Sequence, residues 1–352
     1  MTLRSPWFTA KAVPGEALQY LALHVAVCMA SWLVTMGHGL AQVGSSQSVV
    51  SVAFVGDVML ADGPGRLIAK GGDPLKYVAP LLDASDIRVA NLECVVATTG
   101  TAEHEKPWTF RAHPRTRKVL SRHFDALGLA NNHSGDFGPQ AFGQMLDLLD
   151  ERHLAYFGGG RNLAQAHKPL IVERKGLRIA FLGFNEFFPR SFEADFNRPG
   201  IAWSEDEQVA LDIRLARSLY RADVVIPVMH WGWEHEPLAS ARQRQLARWM
   251  IDVGADAVVG GHPHVTQDVE HYRGKPIVYS LGNFVFDGFD SVDNNTGWVL
   301  KMDVSKDGVQ AWKVFEVKLD RSGAPRPASK NASLCWNRTA PDSTVCESAA
   351  NH

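Results

Sequence analysis

The chain has 352 residues, 45% of them hydrophobic, so it can bury a sizeable core, and intrinsic disorder is excluded for its bulk. Its 36 Lys and Arg residues against 38 Asp and Glu residues give a net charge of −2, without a basic block. Proteins that bind the phosphate backbone of nucleic acid usually carry a cationic excess, so we expect no nucleic-acid partner. The 14 histidines point instead to metal ligation or acid–base chemistry.

The chain begins with a segment typical of export. Residues 17–36 are mostly apolar, follow a basic start and precede small residues, which predicts a secretory signal peptide over 1–41. The alternative is an uncleaved anchor, because about 20 apolar residues can cross a bilayer. In both cases we expect an exported protein, periplasmic or extracytoplasmic, and in the second case it is membrane-anchored.

From residue 49 onward, short β-branched runs alternate with amphipathic stretches, the pattern of an α/β fold. In chain order we predict strand 49–56, helix 73–85, strand 87–93, helix 116–123, strand 124–132, helix 139–153, strand 177–184, helix 205–222, strand 223–230, helix 240–254, and strands 256–260, 275–284, 296–304 and 311–319. The last strands have no helices between them, so we expect mixed or antiparallel pairing there. The pattern favours one compact domain over 50–318.

Residues 319–352 are rich in Ser, Pro and Asn, which predicts an irregular C-terminal tail. Cys335 and Cys346 lie close together in this tail, and an oxidising compartment can join them in a disulfide. The alternative is a pair of free thiols in a frayed tail.

Five apolar runs end in side chains that bind metals or transfer protons: Asp57, Glu93, Asn132 with His133, His230, and His262 with His264. The carboxyl ends of strands converge on one crevice in open α/β sheets, so we expect these side chains to meet. Carboxylate, amide and imidazole ligands suit one or two divalent ions such as Mn²⁺, Fe²⁺ or Zn²⁺.

Each of these residues also has an ordinary structural interpretation. An Asp after a strand is often a turn or helix cap, Glu93 can pair with a surface Arg, and His230 can be a hydrogen-bonded core histidine. The His262-Pro263-His264 sequence is more specific, because proline holds two imidazoles apart and stiff. Their joint occurrence favours the metal site.

The blocks GDVML, ANLE, LANNHSGDFG, MHWGWEHEP, VVGGHPHVTQDVE and VYSLGNFVFD, in this order, resemble the CapA-type poly-γ-glutamate capsule biosynthesis family of the calcineurin-like metallophosphatase superfamily. The similarity runs over about residues 52–317. It implies an α/β fold built as a four-layer α/β/β/α sandwich, in which two mixed sheets are flanked by helices and the metals lie at the strand ends.

The resemblance also implies roles for the residues at the strand ends. The implied metal ligands are Asp57 and His264 on a first ion, Asn132, His230 and His262 on a second ion, and Glu93 between the two. The implied catalytic residues are His133, which supports the leaving group, and Asp136, which orients its other ring nitrogen.

Two positions depart from the wider phosphoesterase pattern. The first strand carries Asp57-Val58-Met59 where those enzymes carry Asp-x-His, so one imidazole is missing, and Glu93 stands where they have a bridging Asp. A mononuclear centre, or one that is loaded together with substrate, is therefore an open alternative.

Substrate contacts are predicted in two further blocks. Lys106 and Arg111 lie in KPWTFRAHP, which resembles a stretch of the family, and a cation there can bind a carboxylate or phosphate. The alternative is an ordinary solvated loop. Asn283 in SLGNF is predicted to line the cleft, since Gly282 lets the backbone approach closely.

The sequence therefore predicts an exported metal-dependent hydrolase of capsule, poly-γ-glutamate or envelope polymer metabolism. Metal-activated water would attack an amide or a phosphoester. The expected substrate is an anionic envelope polymer or a phosphorylated intermediate, and membrane synthase subunits are candidate partners. The alternatives are a non-catalytic polymer-binding or scaffold subunit of a membrane-associated poly-γ-glutamate synthase complex, and a broad phosphodiesterase.

Overall fold

The computed structural model describes residues 48–188, 190–341 and 346. The predicted signal peptide or anchor at 1–41 lies outside these residues. Within the described part of the chain, no helix is long and apolar enough to cross a bilayer.

Strands make up most of the regular structure. In chain order they are β1 (Val50–Val58), β2 (Ile87–Leu92), β3 (Val95–Val96), β4 (Arg111–Ala112), β5 (Ala126–Gly128), β6 (Ala155–Phe157), β7 (Gly159–Gly160), β8 (Leu170–Arg174), β9 (Leu177–Asn185), β10 (Gly200–Ile201), β11 (Val224–His230), β12 (Val258–Gly261), β13 (Val269–Tyr272), β14 (Lys275–Val278), β15 (Asn283–Val285), β16 (Thr296–Ser305), β17 (Gly308–Leu319), β18 (Pro325–Pro327) and β19 (Leu334–Asn337).

The described helices are α1 (Asp62–Ala69), α2 (Ala79–Asp83), α3 (Arg117–His123), α4 (Gly138–Asp150), α5 (Leu163–Ala166), α6 (Asp206–Ser218) and α7 (Ala241–Asp252), with 3₁₀ turns at Pro114–Thr116 and Arg190–Phe192. Helix α7 starts at a capping box, in which Ser240 and Gln243 bond each other's backbone N–H groups. The sequence analysis missed α1, which contains a Gly-Pro-Gly run of poor helix formers.

The strands form two large mixed sheets and two short ribbons. The first large sheet has the order β18-β17-β16-β1-β2-β5-β6, with β15 beside β1 and β19 beside β17, and the second has the order β13-β14-β12-β11-β9-β8. Parallel pairs join β1 to β2 and β2 to β5, whereas β16 runs antiparallel to β1. The prediction of mixed pairing is confirmed.

Three hydrophobic clusters separate four layers. Along β1, Val52 and Phe54 point into the cluster between the sheets, where Phe54 contacts Phe181 of β9 edge to face with ring centres 5.9 Å apart. Ala53 and Val55 point the other way, into the cluster beneath α1 to α4. A third cluster packs α6 and α7 on the second sheet. This alternation buries both faces of each sheet and confirms the α/β/β/α sandwich.

The prediction of an irregular tail over 319–352 is wrong in part. Strands β18 and β19 both pair with β17, so the tail extends the first sheet. In β19, Trp336 stacks on the His271 ring with centroids 4.8 Å apart. Cys335 and Cys346 form a disulfide with Cα atoms 5.5 Å apart. This segment has few apolar residues, so its sequence did not indicate strands. Strands β18 and β19 form because they pair with the edge of β17.

A close backbone approach fixes the strand end that carries Asp57. The Asp57 N–H donates to the Gly282 carbonyl at 3.0 Å. A Cβ placed on Gly56 would lie 1.9 Å from that same carbonyl oxygen, closer than any real contact. Glycine at position 56 is therefore required for β15 to pair beside β1.

We expect Gly56→Ala to lower the free energy of unfolding by about 3 kcal/mol, because the added methyl group must push two packed strands apart. The matched control is Gly143→Ala in α4, where a Cβ meets nothing within 4 Å. The control should raise that free energy by about 0.5–1 kcal/mol. Urea denaturation of both variants measures the difference, and equal stabilities would contradict the packing argument.

Candidate metal centre

Strand ends from both large sheets meet at one edge of the sandwich. Asp57 lies near the end of β1 and Glu93 directly follows β2, both in the first sheet. His230 ends β11 and His262 directly follows β12 in the second sheet. All four side chains are at most 2% exposed, so polar groups from two sheets are brought together in a buried setting.

The first ligand group consists of Asp57, Glu93 and His264, whose donor atoms all lie within 4.8 Å of one another. His264 Nδ1 is 3.5 Å from Asp57 Oδ2, and His264 Nε2 is 3.7 Å from Glu93 Oε1. These distances are too long for hydrogen bonds but suit donors that face a shared cation.

The second ligand group consists of Glu93, His230 and His262. His230 Nε2 lies 3.5 Å from Glu93 Oε1 and 3.1 Å from His262 Nδ1. The side-chain oxygen of Asn132 lies 2.7 Å from the same His230 nitrogen. Glu93 belongs to both groups, so the same carboxylate would serve both if each group held an ion.

Unpartnered buried atoms show that these residues fit a metal. Both carboxylate oxygens of Glu93 and Nε2 of His262 are buried and have no hydrogen-bond partner. A buried polar atom without a partner costs about 1–3 kcal/mol, and more if it is charged. Divalent ions would satisfy all three atoms, and a mixed set of oxygen and nitrogen donors suits Mn²⁺, Fe²⁺ or Zn²⁺.

Burial also sets the protonation of the ligands. Burial, with the neighbouring Asp57 second, raises the pKa of Glu93 well above its usual range. Burial and neighbouring imidazoles hold the pKa values of His230 and His262 well below the ordinary value. Neutral imidazoles are the form that ligates metal, whereas Glu93 needs a nearby cation to carry its charge.

A histidine–aspartate pair lies beside the two ligand groups. His133 Nδ1 is 2.8 Å from Asp136 Oδ2, which also accepts the Phe110 N–H at 2.6 Å. Lys106 Nζ donates to Asp136 Oδ1 and to the Asn132 carbonyl, each at 2.5 Å. Burial lowers the pKa of His133, and Asp136 partly opposes this effect. Asp136 thus fixes the ring so that Nε2 is left for other contacts.

A cavity of about 570 Å³ opens next to this pair. It is lined by Glu103, His104, Glu105, Lys106, Pro107, Trp108, Asn131, Asn132, His133, Gly135, Asn185, Phe187, Phe188, Arg190, Phe192, Glu193, Ile201, Trp203 and Glu234. Its ammonium and guanidinium groups are already paired, Lys106 with Asp136 and Arg190 with Glu193. The lining is therefore aromatic and acidic, and protein cations contribute little free positive charge to it.

The three predicted substrate-binding residues are placed differently from one another. Lys106 lines the cavity, although its ammonium group is held by Asp136. Arg111 does not line it: its guanidinium donates to the Thr99 and Gly100 carbonyls, each at 3.1 Å, and lies over the ring of Phe137. Local backbone acceptors hold this side chain away from the cavity, and its role as a substrate clamp stays a prediction.

Asn283 also differs from its predicted position. It is fully buried, and its side-chain oxygen lies 2.9 Å from His264 Nδ1. Its amide nitrogen donates to the carbonyls of His264 and Asn294. Instead of lining the cleft, Asn283 is placed to orient the ring of His264, a candidate metal ligand, as partners of ligating histidines usually do.

The sequence analysis missed two residues of the site. Asn91 donates to Asp57 Oδ1 at 2.8 Å and lies 3.3 Å from His230 Nδ1, so it connects the two sheets. Its place in the ANLE block was the available signal. Glu234 lies with its carboxylate within 4.8 Å of the donor atoms of His262 and His264. It lies in the loop part of the MHWGWEHEP block, after the strand that ends at His230, so it does not directly follow a strand.

Comparisons with known proteins agree on one family. Residues 51–288 match the family described as Bacterial capsule synthesis protein PGA_cap. The PGA biosynthesis protein CapA of Bacillus subtilis (strain 168) is 34% identical over 303 residues, which cover 82% of this chain and 76% of that protein. The capsule biosynthesis protein CapA of Bacillus anthracis is 31% identical over 288 residues, covering 79% of this chain and 70% of that protein.

Solved structures match more distantly. NAD nucleotidase (NadN) of Haemophilus influenzae is 12% identical, with a TM-score of 0.43, over 80% of this chain and 54% of that chain. No shared activity follows from a similarity of this size.

We expect His262→Ala and His264→Ala to lose bound Mn²⁺, because each substitution removes one donor from a ligand group. The matched control is His153→Asn, at an exposed position with φ +51° that asparagine tolerates. Elemental analysis of the full-length protein after loading and dialysis gives the metal content per chain. Equal metal in wild type and all variants would contradict the site.

Proposed function

The chain belongs to the PGA_cap family of bacterial capsule synthesis proteins, and from this premise we propose that it is a metal-dependent hydrolase of capsule or envelope polymer metabolism. One observation supports the proposal most: Glu93 is shared by two groups of buried oxygen and nitrogen donors. A buried cluster of this kind without a cation would leave polar atoms unsatisfied, so a purely structural role is disfavoured.

The metal would be held by Asp57, Glu93, Asn132, His230, His262 and His264. Bound divalent ions supply Lewis-acid activation of a water molecule and of the electrophilic centre of the substrate. The protein contributes the position: Asn91 and Asn283 bond to ligand side chains and fix their orientation.

His133 and Asp136 would handle the proton of the leaving group. Asp136 accepts a hydrogen bond from Nδ1 of His133, so the ring keeps its proton on Nδ1. Nε2 is then the atom that exchanges a proton with substrate. The lowered pKa makes the protonated ring a stronger acid, and it must gain its proton within the catalytic cycle. Lys106 compensates the buried charge of Asp136 and keeps the pair in place.

The substrate we propose is an anionic envelope polymer, cleaved at an amide, or a phosphorylated envelope intermediate, cleaved at a phosphoester. The names of the relatives, which refer to PGA and capsule biosynthesis, support this class. Since the cationic side chains of the cavity are already paired, positive charge for an anionic group would come from the metal. Trp108, Phe188 and Trp203 offer aromatic surface to uncharged parts of the substrate.

The location of the reaction is also a proposal. The apolar N-terminal segment supports export to the periplasm or another extracytoplasmic compartment, either free or anchored to the membrane. Anchoring would place the cavity near membrane synthase subunits, which we propose as partners. The Cys335–Cys346 disulfide suits an oxidising compartment.

We expect His133→Ala to lower kcat by about 10²–10⁴-fold while metal content stays at the wild-type level, because the substitution removes the proton donor and no ligand. Mn²⁺-loaded full-length protein is assayed for new amines released from poly-γ-glutamate and for phenol released from an aryl phosphodiester. Which of the two is cleaved identifies the substrate bond.

The outcome against this proposal comes from cells that depend on the chain for polymer production. If His133→Ala supports production as well as wild type, and neither substrate is cleaved with any of the three metals, the protein acts as a scaffold instead. Loss of production with His133→Ala at unchanged protein level would support the enzyme.

A further inference from the structure

We propose that Glu234 is a further metal ligand, which supplies a carboxylate to the ions held beside His262 and His264. This inference rests on the proposed metal site and adds a donor that lies outside the strand ends. The carboxylate of Glu234 forms a third group with these two imidazoles, in which all donor atoms lie within 4.8 Å of one another.

Glu234 differs from the other ligands in its exposure. Its side chain is 45% exposed and lines the cavity, whereas His262 and His264 are buried. Within the described part of the chain, the one ionisable partner within 4.0 Å of its carboxylate is His235, with 4.0 Å between Oε2 and Nε2. No tight ion pair therefore competes with a cation for this carboxylate, and Glu234 stands where the cavity meets the metal centre.

The loop that carries Glu234 is tied directly to the His262-Pro263-His264 segment. The Trp231 N–H donates to the Gly261 carbonyl at 3.2 Å, just before the segment. The His235 N–H donates to the Pro263 carbonyl at 2.8 Å, in the middle of it. These two bonds lie on either side of Glu234 along the chain, so they hold the backbone that carries Glu234 against the segment with the two imidazoles.

Side-chain bonds and an unusual backbone shape reinforce this placement. Gln267 Nε2 donates to the Glu236 carbonyl at 2.8 Å, and Asn294 Nδ2 lies 2.9 Å from His235 Nδ1. Gly232 and His235 both have positive φ, +84° and +66°. A side chain at position 232 would lie 2.8 Å from Gln243. Positive φ in a residue such as His235 costs free energy and is common at functional sites.

The donor atoms around Glu234 indicate what it would bind. Nε2 of His262 is buried and has no hydrogen-bond partner, whereas Nδ1 of the same ring lies 3.1 Å from His230 Nε2. The position that would carry a further imidazole after Asp57 is held by Met59, whose sulfur accepts the Ala61 N–H at 3.2 Å. A carboxylate from the loop would add an oxygen donor beside His262 and His264, and Mn²⁺, Fe²⁺ and Zn²⁺ all accept carboxylate oxygen.

The test compares Glu234→Gln with Glu236→Gln in the full-length protein. Both substitutions remove one negative charge from the same loop, and both side chains are exposed. Mn²⁺ affinity and stoichiometry are measured by electron paramagnetic resonance of free Mn²⁺, and the visible spectrum of the Co²⁺-loaded protein reports the ligand set. Glu234→Gln should weaken at least one Mn²⁺ site by about 10-fold or more and change the Co²⁺ spectrum. Glu236→Gln should stay within about twofold of wild type.

A second variant separates ligation from folding. Glu234→Asp keeps the carboxylate on a shorter side chain, so it should recover part of the lost affinity. Thermal unfolding of the metal-free proteins should be equal for wild type, Glu234→Gln and Glu236→Gln, because the Glu234 side chain is half exposed.

Two results would overturn the inference, and they are distinguishable. If wild type binds Mn²⁺ and loses it with His264→Ala, but Glu234→Gln keeps wild-type affinity and Co²⁺ spectrum, Glu234 is not a ligand and the proposed metal site stands. A loss of turnover in that case would assign Glu234 to the substrate. If wild type binds no Mn²⁺ or Co²⁺, both this inference and the proposed metal site fail.

Discussion

The structure depends on one costly constraint, the complete burial of Glu93 between side chains from two sheets. Its two oxygens have no hydrogen-bond partner, and burial raises its pKa well above the usual range. An unpaired buried carboxylate is strongly disfavoured unless a cation balances it. Because Asp57, His230 and His264 face the same carboxylate, the four side chains together form a place for cations that none of them forms alone.

Backbone strain is concentrated at the same place. His262 and His264 have φ values of +94° and +56°, a region that bulky residues rarely adopt, and each costs about 1–3 kcal/mol. Asn283 and Asn294 hold this segment by bonding to His264, at its ring and its carbonyl. The hydrogen bond from the Asp57 N–H to the Gly282 carbonyl, formed where Gly56 approaches Gly282 closely, holds β15 and its Asn283 beside β1. Hydrogen bonds and packing from other segments thus hold the strained backbone of His262 and His264 in place.

The cavity and the candidate metal centre would contribute differently to substrate binding. Aromatic and acidic side chains line the cavity, and the cations within it are paired. In the proposed function, attraction for an anionic group would come from bound metal, which would couple substrate binding to metal loading.

The alternation of apolar runs and helices, together with the polar residue after each strand, determined the α/β class. The same features predicted most of the side chains that the structure brings together at the candidate site, including Asp57, Glu93 and His262. These features are local, because strand period and strand ends are written in neighbouring residues. Tertiary structure decided that Asn91 reaches across to His230, that Asn283 lies behind His264, and that Arg111 turns to the Thr99 carbonyl. It also decided the position of Glu234 and the pairing of the tail with β17. Contacts of this kind depend on how distant segments pack and on loop shape, which no local pattern encodes.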